Sequence, residues 1–243
     1  CALHRAGVTI VLDRAGVTGD DGASHNGVWD ISMLLAVPGL RLAAPRDEST
    51  LRRALREAVA VSDAPTVVRF PKGALPAELP ALRVHEGAEI LVESGTQAVD
   101  VTVVAVGSMA GLGRDAAALL EAQGLTSRVI DPRWVAPLPG GVVDLSRTSR
   151  LVAVIEDGIR TGGAAAHVRA ELSDAGVHTP VLSFGVPATF LAHAKRAEVL
   201  AEIGLTAQDV ARALVEALVG QDDDVSAETR QGSSDPTAAT PER

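Results

Sequence analysis

Residues 8–30 read VTIVLDRAGVTGDDGASHNGVWD, and this stretch decides the predicted fold. It begins with an apolar, β-branched run at 8–12, which predicts a strand buried on both faces. A polar loop follows, in which glycines allow tight turns and close approach to a ligand. The loop is far longer than the roughly 2–6 residues of an ordinary connection. Because open parallel sheets bind ligands at the carboxyl ends of their strands, the loop is predicted to form a ligand site.

The composition limits the class of protein. The chain has 243 residues and a net charge of −9, with 47% apolar but only 2% aromatic residues. An acidic chain with no basic stripe and few aromatics argues against a nucleic-acid partner. Cys1 is the only cysteine, which rules out an internal disulfide and fits the cytoplasm, the location we expect. We find no signal peptide and no apolar run long enough to cross a membrane, and we expect no membrane partner.

Strand-like and helix-like segments alternate along the chain, which predicts α/β domains with parallel sheets. We expect two three-layer domains, at 1–75 and 100–219, joined by a linker at 76–99 that carries a minor hairpin. Residues 220–243 are polar and acidic, and we predict a disordered tail there. The predicted strands are 8–12, 40–44, 66–70, 101–106, 127–130, 151–155 and 180–184. The predicted helices are 30–37, 47–61, 110–123, 137–147, 161–175, 195–203 and 207–219.

Four polar residues follow predicted strands and are the candidate site residues. Arg14 could hold a phosphate or carboxylate, or only pair with a neighbouring aspartate. Asp21 could accept hydrogen bonds from substrate hydroxyls, or only shape a turn. His25 could exchange protons near neutral pH, or only bind a carbonyl. Lys72 would share an anion with Arg14 if the first and third strands are neighbours, and is otherwise a solvated lysine.

Other polar residues are weaker candidates. We expect Arg69 to be structural, since it points away from Lys72, and we expect the same of His167 and His193. Glu156 and Asp157 precede a glycine run whose backbone N–H groups could hold an anion, although close packing explains such glycines as well. The sequence shows no metal-binding pattern and no phosphate-binding loop of the Walker type.

Residues 1–219 resemble the 1-deoxy-D-xylulose-5-phosphate synthases of the transketolase superfamily, above all the actinobacterial members. The resemblance rests on the strings DRAGVTGDDGASHNGVWD, AAPRDE, RFPKG, VIDPRWVAPL, VIEDG and EVLAEIGLTAQDVARAL, in that order. It implies a partial pyrimidine-binding domain followed by a transketolase C-terminal domain. The implied reaction condenses pyruvate with D-glyceraldehyde 3-phosphate, with loss of carbon dioxide. Its product feeds the non-mevalonate isoprenoid, thiamine and pyridoxal routes.

The resemblance also assigns roles. Arg14 and Lys72 match the pair that holds the acceptor phosphate, Asp21 matches a substrate-binding residue, and His25 matches the catalytic histidine. Such enzymes are homodimers that use thiamine diphosphate and magnesium. Their GDG…N metal motif and the glutamate that activates the cofactor have no match here, and no cofactor-binding or metal-binding residue is assigned in this chain. We therefore expect a fragment that is inactive alone.

Two other interpretations remain open from the sequence. The chain could be a β subunit of a 2-oxo acid dehydrogenase, which shares both domain types, although the DRAG loop and RFPKG disfavour this. It could also be a non-catalytic remnant that only dimerises. The retention of all four candidate residues argues mildly against a remnant.

Overall fold

The computed structural model of the chain describes residues 1–95 and 97–232, with side chains described through residue 222. Three parallel strands of the N-terminal part form most of the first sheet: β1 (Thr9–Leu12), β2 (Arg41–Ala43) and β3 (Thr66–Arg69). Helices α1 (Asp30–Leu34) and α2 (Glu48–Ala60) connect them. Strand β3 lies between β1 and β2, so the first and third strands are neighbours.

Strand β1 lies at the edge of this sheet, so the prediction of a strand buried on both faces was wrong. Ile10 and Val11 are 41% and 47% exposed, whereas Val67 and Val68 of β3 are fully buried. An apolar run predicts burial for an edge strand and for a central strand alike, because the composition of a strand does not show whether a second strand lies beside it. The apolar side chains of β1 are therefore uncovered next to the long loop.

The second sheet belongs to the C-terminal part of the chain. Its strands are β4 (Arg83–His85), β5 (Ala88–Glu93), β6 (Val99–Ala105), β7 (Ser127–Asp131), β9 (Ser149–Ile159) and β10 (Val181–Val186). Its helices are α3 (Ala110–Glu121), α4 (Gly140–Ser146), α5 (Ala164–Asp174), α6 (Arg196–Glu202) and α7 (Ala207–Gly232). The order is β10-β9-β6-β7-β5-β4, in which β10, β9, β6 and β7 are parallel. The alternation of strand-like and helix-like segments in the sequence thus correctly predicted the parallel strands of this sheet.

The predicted linker at 76–99 is part of this second sheet. Strand β5 pairs antiparallel with β7, and β4 completes a hairpin with β5. Ala88 and Ile90 are fully buried in the main core. The expected hairpin is therefore present, but it packs as core rather than as a connection. Its short apolar run among glutamates and glycines carries too little periodicity to predict that.

Strand β8 (Trp134–Ala136) joins the two halves of the chain. It follows β7 in sequence but pairs antiparallel with β2 in the first sheet. Nearby, Arg46 is buried with its Nη1 2.7 Å from Glu89 Oε2 and 2.6 Å from Asp131 Oδ2. The predicted architecture of two α/β domains is confirmed, with antiparallel strands added to both sheets.

Helix α7 runs from Ala207 to Gly232, which corrects the prediction of a disordered tail from residue 220. Residues 221–231 contain neither glycine nor proline, so nothing in their backbone ends the helix. Residues 233–243 of the predicted tail lie outside the described residues. In the part of the chain that is described, each helix is too short or too polar to span a bilayer.

Candidate functional site

The parallel pairing of β1 with β3 determines where the candidate residues lie. Leu12 pairs with Arg69 at the carboxyl ends of the two strands. Arg14 and Lys72 therefore leave the sheet on the same side, at the carboxyl ends of its strands. Ala15 N donates to Phe70 O at 3.0 Å, which extends this alignment beyond the strands. The two cations therefore come from neighbouring strand ends, which meets the condition that the sequence analysis set for Arg14 and Lys72 to share an anion.

The long loop folds back on itself and brings its middle to the same edge. Gly16 and Gly27 exchange two backbone hydrogen bonds, at 3.0 and 2.9 Å. Within that closure, Asn26 Oδ1 accepts from Thr18 N at 2.9 Å and from Thr18 Oγ1 at 3.1 Å. The loop is thus a closed, internally bonded unit that carries Asp21.

Asp21 lies between the two cations, and we call Arg14, Asp21 and Lys72 the Asp21 group. Lys72 Nζ lies 2.8 and 2.7 Å from the two carboxylate oxygens, and Arg14 Nη1 lies 3.3 Å from Oδ2. The hydrogen bond from Lys72 holds the pKa of Asp21 below its usual value, and the charges of Lys72, Arg14 and His25 act in the same direction. Arg14 is 53% exposed and Lys72 41%, so an anion from solvent can reach both.

Direct contacts join Arg14, Asp21 and Lys72, and His25 lies four residues after Asp21 in the same loop. It is exposed in a short 3-10 turn, Ala23–His25, with Nδ1 3.1 Å from Ser24 Oγ. A histidine in this position can hold or transfer a proton at the edge of the site. Arg14 pairs with Asp21 rather than with its other aspartate neighbours, and Lys72 is bonded rather than only solvated.

A second set of charges, missed in the sequence, lies against the same loop. We call Asp157, Arg69, Asp30, Arg196 and Ser108 the Asp157 cluster. Asp157 Oδ1 accepts from Arg69 Nη1 at 2.8 Å, and Oδ2 accepts from Arg196 Nη2 at 3.0 Å and Ser108 Oγ at 3.2 Å. Arg69 Nε also donates to Asp30 Oδ2 at 2.7 Å. Arg69 therefore points away from Lys72 and is structural, as expected.

The charge states in this cluster follow from its burial. Burial alone would raise the pKa of Asp157, but the charges of Arg69 and Arg196 and their hydrogen bonds lower it to about 2. Burial likewise disfavours the charged form of Arg69, yet Asp157 and Asp30 outweigh it and raise the pKa of that guanidinium. Asp157 and Arg69 are therefore both ionised at neutral pH.

The glycine run after Asp157 does not form an anion site. Ala164 N and Ala165 N, at the start of α5, donate to the Glu156 carboxylate at 2.9 and 3.0 Å. Burial raises the pKa of Glu156 to about 7. A Cβ at Gly163 would lie 2.5 Å from Glu156 Oε2, so close packing is the reason for that glycine.

A cavity of about 330 Å³ adjoins the Asp21 group on the open side of β1. Residues 11–15 line it together with Gly27, Trp29 and Asp30. Arg14 is shared between this cavity and the Asp21 group. The site thus combines a mostly apolar cavity with the exposed Arg14 at its margin.

The described residues do not fit a magnesium–diphosphate group. Among the side chains that the structure describes, in residues 1–95 and 97–222, no three from His, Cys, Asp or Glu lie close enough together to hold a metal ion. Magnesium bound to a diphosphate takes carboxylate and other oxygen ligands. The two aspartates at the centre of the charged groups already bind arginine and lysine.

Comparison with protein families assigns most of the chain. Residues 1–78 match the transketolase pyrimidine-binding domain, and residues 89–210 match the transketolase C-terminal domain. The chain belongs to the transketolase family. The second match begins inside β5, so it too places that strand in the C-terminal domain.

The most similar relatives found share one name. A 1-deoxy-D-xylulose-5-phosphate synthase of Leifsonia xyli is 54% identical over 220 residues, which cover 90% of this chain and 34% of the relative. Those of Streptomyces coelicolor and Kitasatospora griseola are 53% and 56% identical, over 95% and 86% of this chain and 36% and 32% of theirs. The chain therefore spans about a third of the length of these relatives. The resemblance seen in the sequence is confirmed.

Solved structures show the same fold in other members of the transketolase family. A split-gene transketolase, described as an inactive β4 tetramer, superposes with a TM-score of 0.76 at 28% identity, over 90% of this chain and 69% of its own. A transketolase mutant from Pichia stipitis gives a TM-score of 0.71 at 19% identity, over 90% of this chain and 31% of its own. The latter supports the fold alone.

Proposed function

We propose that this chain supplies the acceptor-binding part of a 1-deoxy-D-xylulose-5-phosphate synthase. The complete enzyme would condense pyruvate with D-glyceraldehyde 3-phosphate and release carbon dioxide, giving 1-deoxy-D-xylulose 5-phosphate for isoprenoid, thiamine and pyridoxal synthesis. The names of relatives at 51–56% identity support this reaction. The cytoplasmic location expected from the single cysteine is part of the proposal.

The Asp21 group is the observation that carries the proposal. Two exposed cations from adjacent strand ends converge on one carboxylate, with both Lys72–Asp21 distances below 3 Å. A phosphate monoester carries at least as much charge as that carboxylate and can replace it between Arg14 and Lys72. Arginine offers a planar fork to such a group, while lysine acts as a point charge. The pair thus suits the phosphate of the acceptor substrate.

The remaining two residues suit the other end of the acceptor. Once a phosphate holds the cations, Asp21 is free to accept hydrogen bonds from the substrate hydroxyl. His25 lies four residues after Asp21 in the same loop and would move or hold a proton at the reacting oxygen. We assign Arg14, Asp21 and Lys72 to substrate binding and His25 to catalysis.

The cofactors of the complete enzyme would be thiamine diphosphate and Mg²⁺, as the match to a pyrimidine-binding domain supports. When bound, thiamine diphosphate supplies the decarboxylation of pyruvate. Since the described residues hold no metal cluster, another polypeptide segment would have to provide its diphosphate and metal site. We propose a homodimer for the complete enzyme, and no turnover by this chain alone.

Binding of the acceptor tests this assignment. Titration of D-glyceraldehyde 3-phosphate into the 243-residue chain should give saturable binding, weakened at least about tenfold in Arg14→Ala and in Lys72→Ala by loss of a charge-assisted hydrogen bond. Arg83→Ala is the matched control, since Arg83 is an exposed arginine paired with Glu93 in the hairpin. Absence of binding to the parent chain would favour the non-catalytic remnant instead.

Turnover gives a second, independent check. The chain mixed with thiamine diphosphate, Mg²⁺, pyruvate and D-glyceraldehyde 3-phosphate should release no carbon dioxide above the protein-free background. Decarboxylation by the purified chain would contradict the proposal that another segment is required. The dehydrogenase alternative finds no support, because the most similar relatives found are all named as synthases.

A further inference from the structure

We propose that Arg196, the first residue of α6 in the C-terminal domain, is a positioning residue for acceptor binding because it fixes the loop that carries Asp21. The inference rests on the proposed function, since it concerns the same site. It gives the C-terminal domain a part in that site.

Arg196 bridges the buried aspartate and the backbone of the loop. Its Nη1 donates to Val17 O at 2.5 Å, and its Nη2 donates to Asp157 Oδ2 at 3.0 Å and lies 3.3 Å from Ser108 Oγ. Asp157 is itself fixed by Arg69 in the interior. The guanidinium of Arg196 therefore connects the buried Asp157 to the loop at Val17, four residues before Asp21.

The loop is also shaped against the C-terminal domain by close backbone contact. Gly16 has φ +74°, and a Cβ there would lie 2.0 Å from Asp157 Oδ2. Gly19 has φ +77°, and a Cβ there would lie 2.6 Å from the backbone N of Arg196. Both positions need glycine for conformation and for space. The residues before Asp21 thus follow the surface formed by Asp157 and Arg196.

Within the Asp21 group, the two cations and the carboxylate are anchored by different parts of the structure. Arg14 and Lys72 follow β1 and β3, whose pairing does not involve Arg196. Asp21 follows the glycine loop, whose carbonyl at Val17 is held by Arg196. Loss of Arg196 should therefore displace Asp21 while the two cations stay in place. Binding of inorganic phosphate needs only the cations, whereas D-glyceraldehyde 3-phosphate also needs the carboxylate for its hydroxyl.

The test compares Arg196→Lys and Arg196→Gln with the parent chain. Lysine keeps the charge beside Asp157 but cannot bridge a carboxylate and a carbonyl as the guanidinium fork does. Arg212→Gln is the matched control, because Arg212 is exposed and pairs with Asp209 within α7. Calorimetry measures the Kd of D-glyceraldehyde 3-phosphate and of inorganic phosphate, and urea unfolding gives the midpoint of each variant.

We expect Arg196→Lys to raise the Kd of D-glyceraldehyde 3-phosphate about fivefold, the worth of one hydrogen bond near 1 kcal/mol. The Kd of phosphate should stay the same or fall, because a displaced Asp21 competes less for Arg14 and Lys72. Arg196→Gln should raise the Kd of D-glyceraldehyde 3-phosphate further, and Arg212→Gln should leave that Kd as in the parent. Unchanged binding in Arg196→Lys would overturn the proposal. So would an equal loss for both ligands accompanied by a lower midpoint, since that pattern indicates a general structural role.

If the parent chain binds neither ligand, the proposed function fails, and amide hydrogen exchange then decides on Arg196 alone. Faster exchange at residues 17–22 in Arg196→Lys, with the rest of the chain unchanged, would support the positioning role. Exchange at those residues equal to that of the parent would overturn it.

Discussion

The Asp157 cluster and the Asp21 group place the same chemistry in two environments. Each has one aspartate between two cations, and each contacts the same glycine loop. Asp157 is fully buried, and Arg69 beside it is only 2% exposed. Asp21 is 23% exposed, and both of its cations are open to solvent. Burial is therefore the main difference between the two groups.

Burial decides which of the two can exchange its partners. A buried charge whose partner is removed costs about 3–5 kcal/mol, so the Asp157 cluster must stay closed in the folded protein. An exposed ion pair is worth little, because water replaces its contacts. The Asp21 group can therefore open to a ligand anion at small cost. The comparison indicates that the Asp157 cluster fixes the loop, whereas the Asp21 group binds the ligand anion.

The largest expected effect comes from removing the buried aspartate. Asp157→Ala should lower the free energy of unfolding by about 3–5 kcal/mol, because it leaves Arg69 and Arg196 without their shared counter-ion. Asp21→Ala should leave the urea midpoint close to that of the parent. Equal destabilisation by the two variants, measured by urea unfolding, would erase the distinction drawn between the groups.

Acid should weaken the buried cluster in a defined pH range. The pKa of Asp157 is about 2 in the folded chain, below the usual value of 3.8, so its stabilisation is complete above pH 3.8 and is lost as the pH falls towards 2. The difference in unfolding free energy between the parent and Asp157→Asn should thus shrink by about 1 kcal/mol between about pH 6 and pH 3. A difference that stays constant over this range would show that Asp157 does not titrate with the lowered pKa.

The smallest effect concerns the exposed aspartate. Asp21 occupies Arg14 and Lys72 in the free chain, so Asp21→Asn should tighten binding of inorganic phosphate a few-fold by removing a competing anion. The same substitution should not tighten binding of D-glyceraldehyde 3-phosphate, which needs the carboxylate. Calorimetric titration with each ligand measures both. Weaker phosphate binding in Asp21→Asn would mean that Asp21 does not compete for the cations.

The placement of Arg14, Asp21 and Lys72 was predictable because the information for it is local. Arg14 and Lys72 each directly follow a strand, and the glycines that shape the loop lie in the same short stretch as Asp21. Only the adjacency of β1 and β3 had to be assumed, and the structure provides it. Chain order and the geometry of parallel sheets were sufficient for the rest.

The Asp157 cluster was not predictable from the sequence because its members come from distant parts of the chain. Arg69 lies 88 residues from Asp157, and Arg196 lies 39 residues from it. The one local signal is a charged residue inside an apolar strand, since a buried arginine needs a counter-ion. Strand β8 was missed for a related reason, because its partner β2 lies in the other half of the chain.

Chemical-shift mapping on the ¹⁵N-labelled 243-residue chain tests the central claim most directly. On addition of D-glyceraldehyde 3-phosphate, the account predicts saturable shifts at Arg14, Asp21, His25 and Lys72. The amide resonances of Arg69 and Asp157 should not shift, because the Asp157 cluster does not exchange partners. Shifts centred on Arg69 and Asp157, or no shifts at the Asp21 group, would contradict the account.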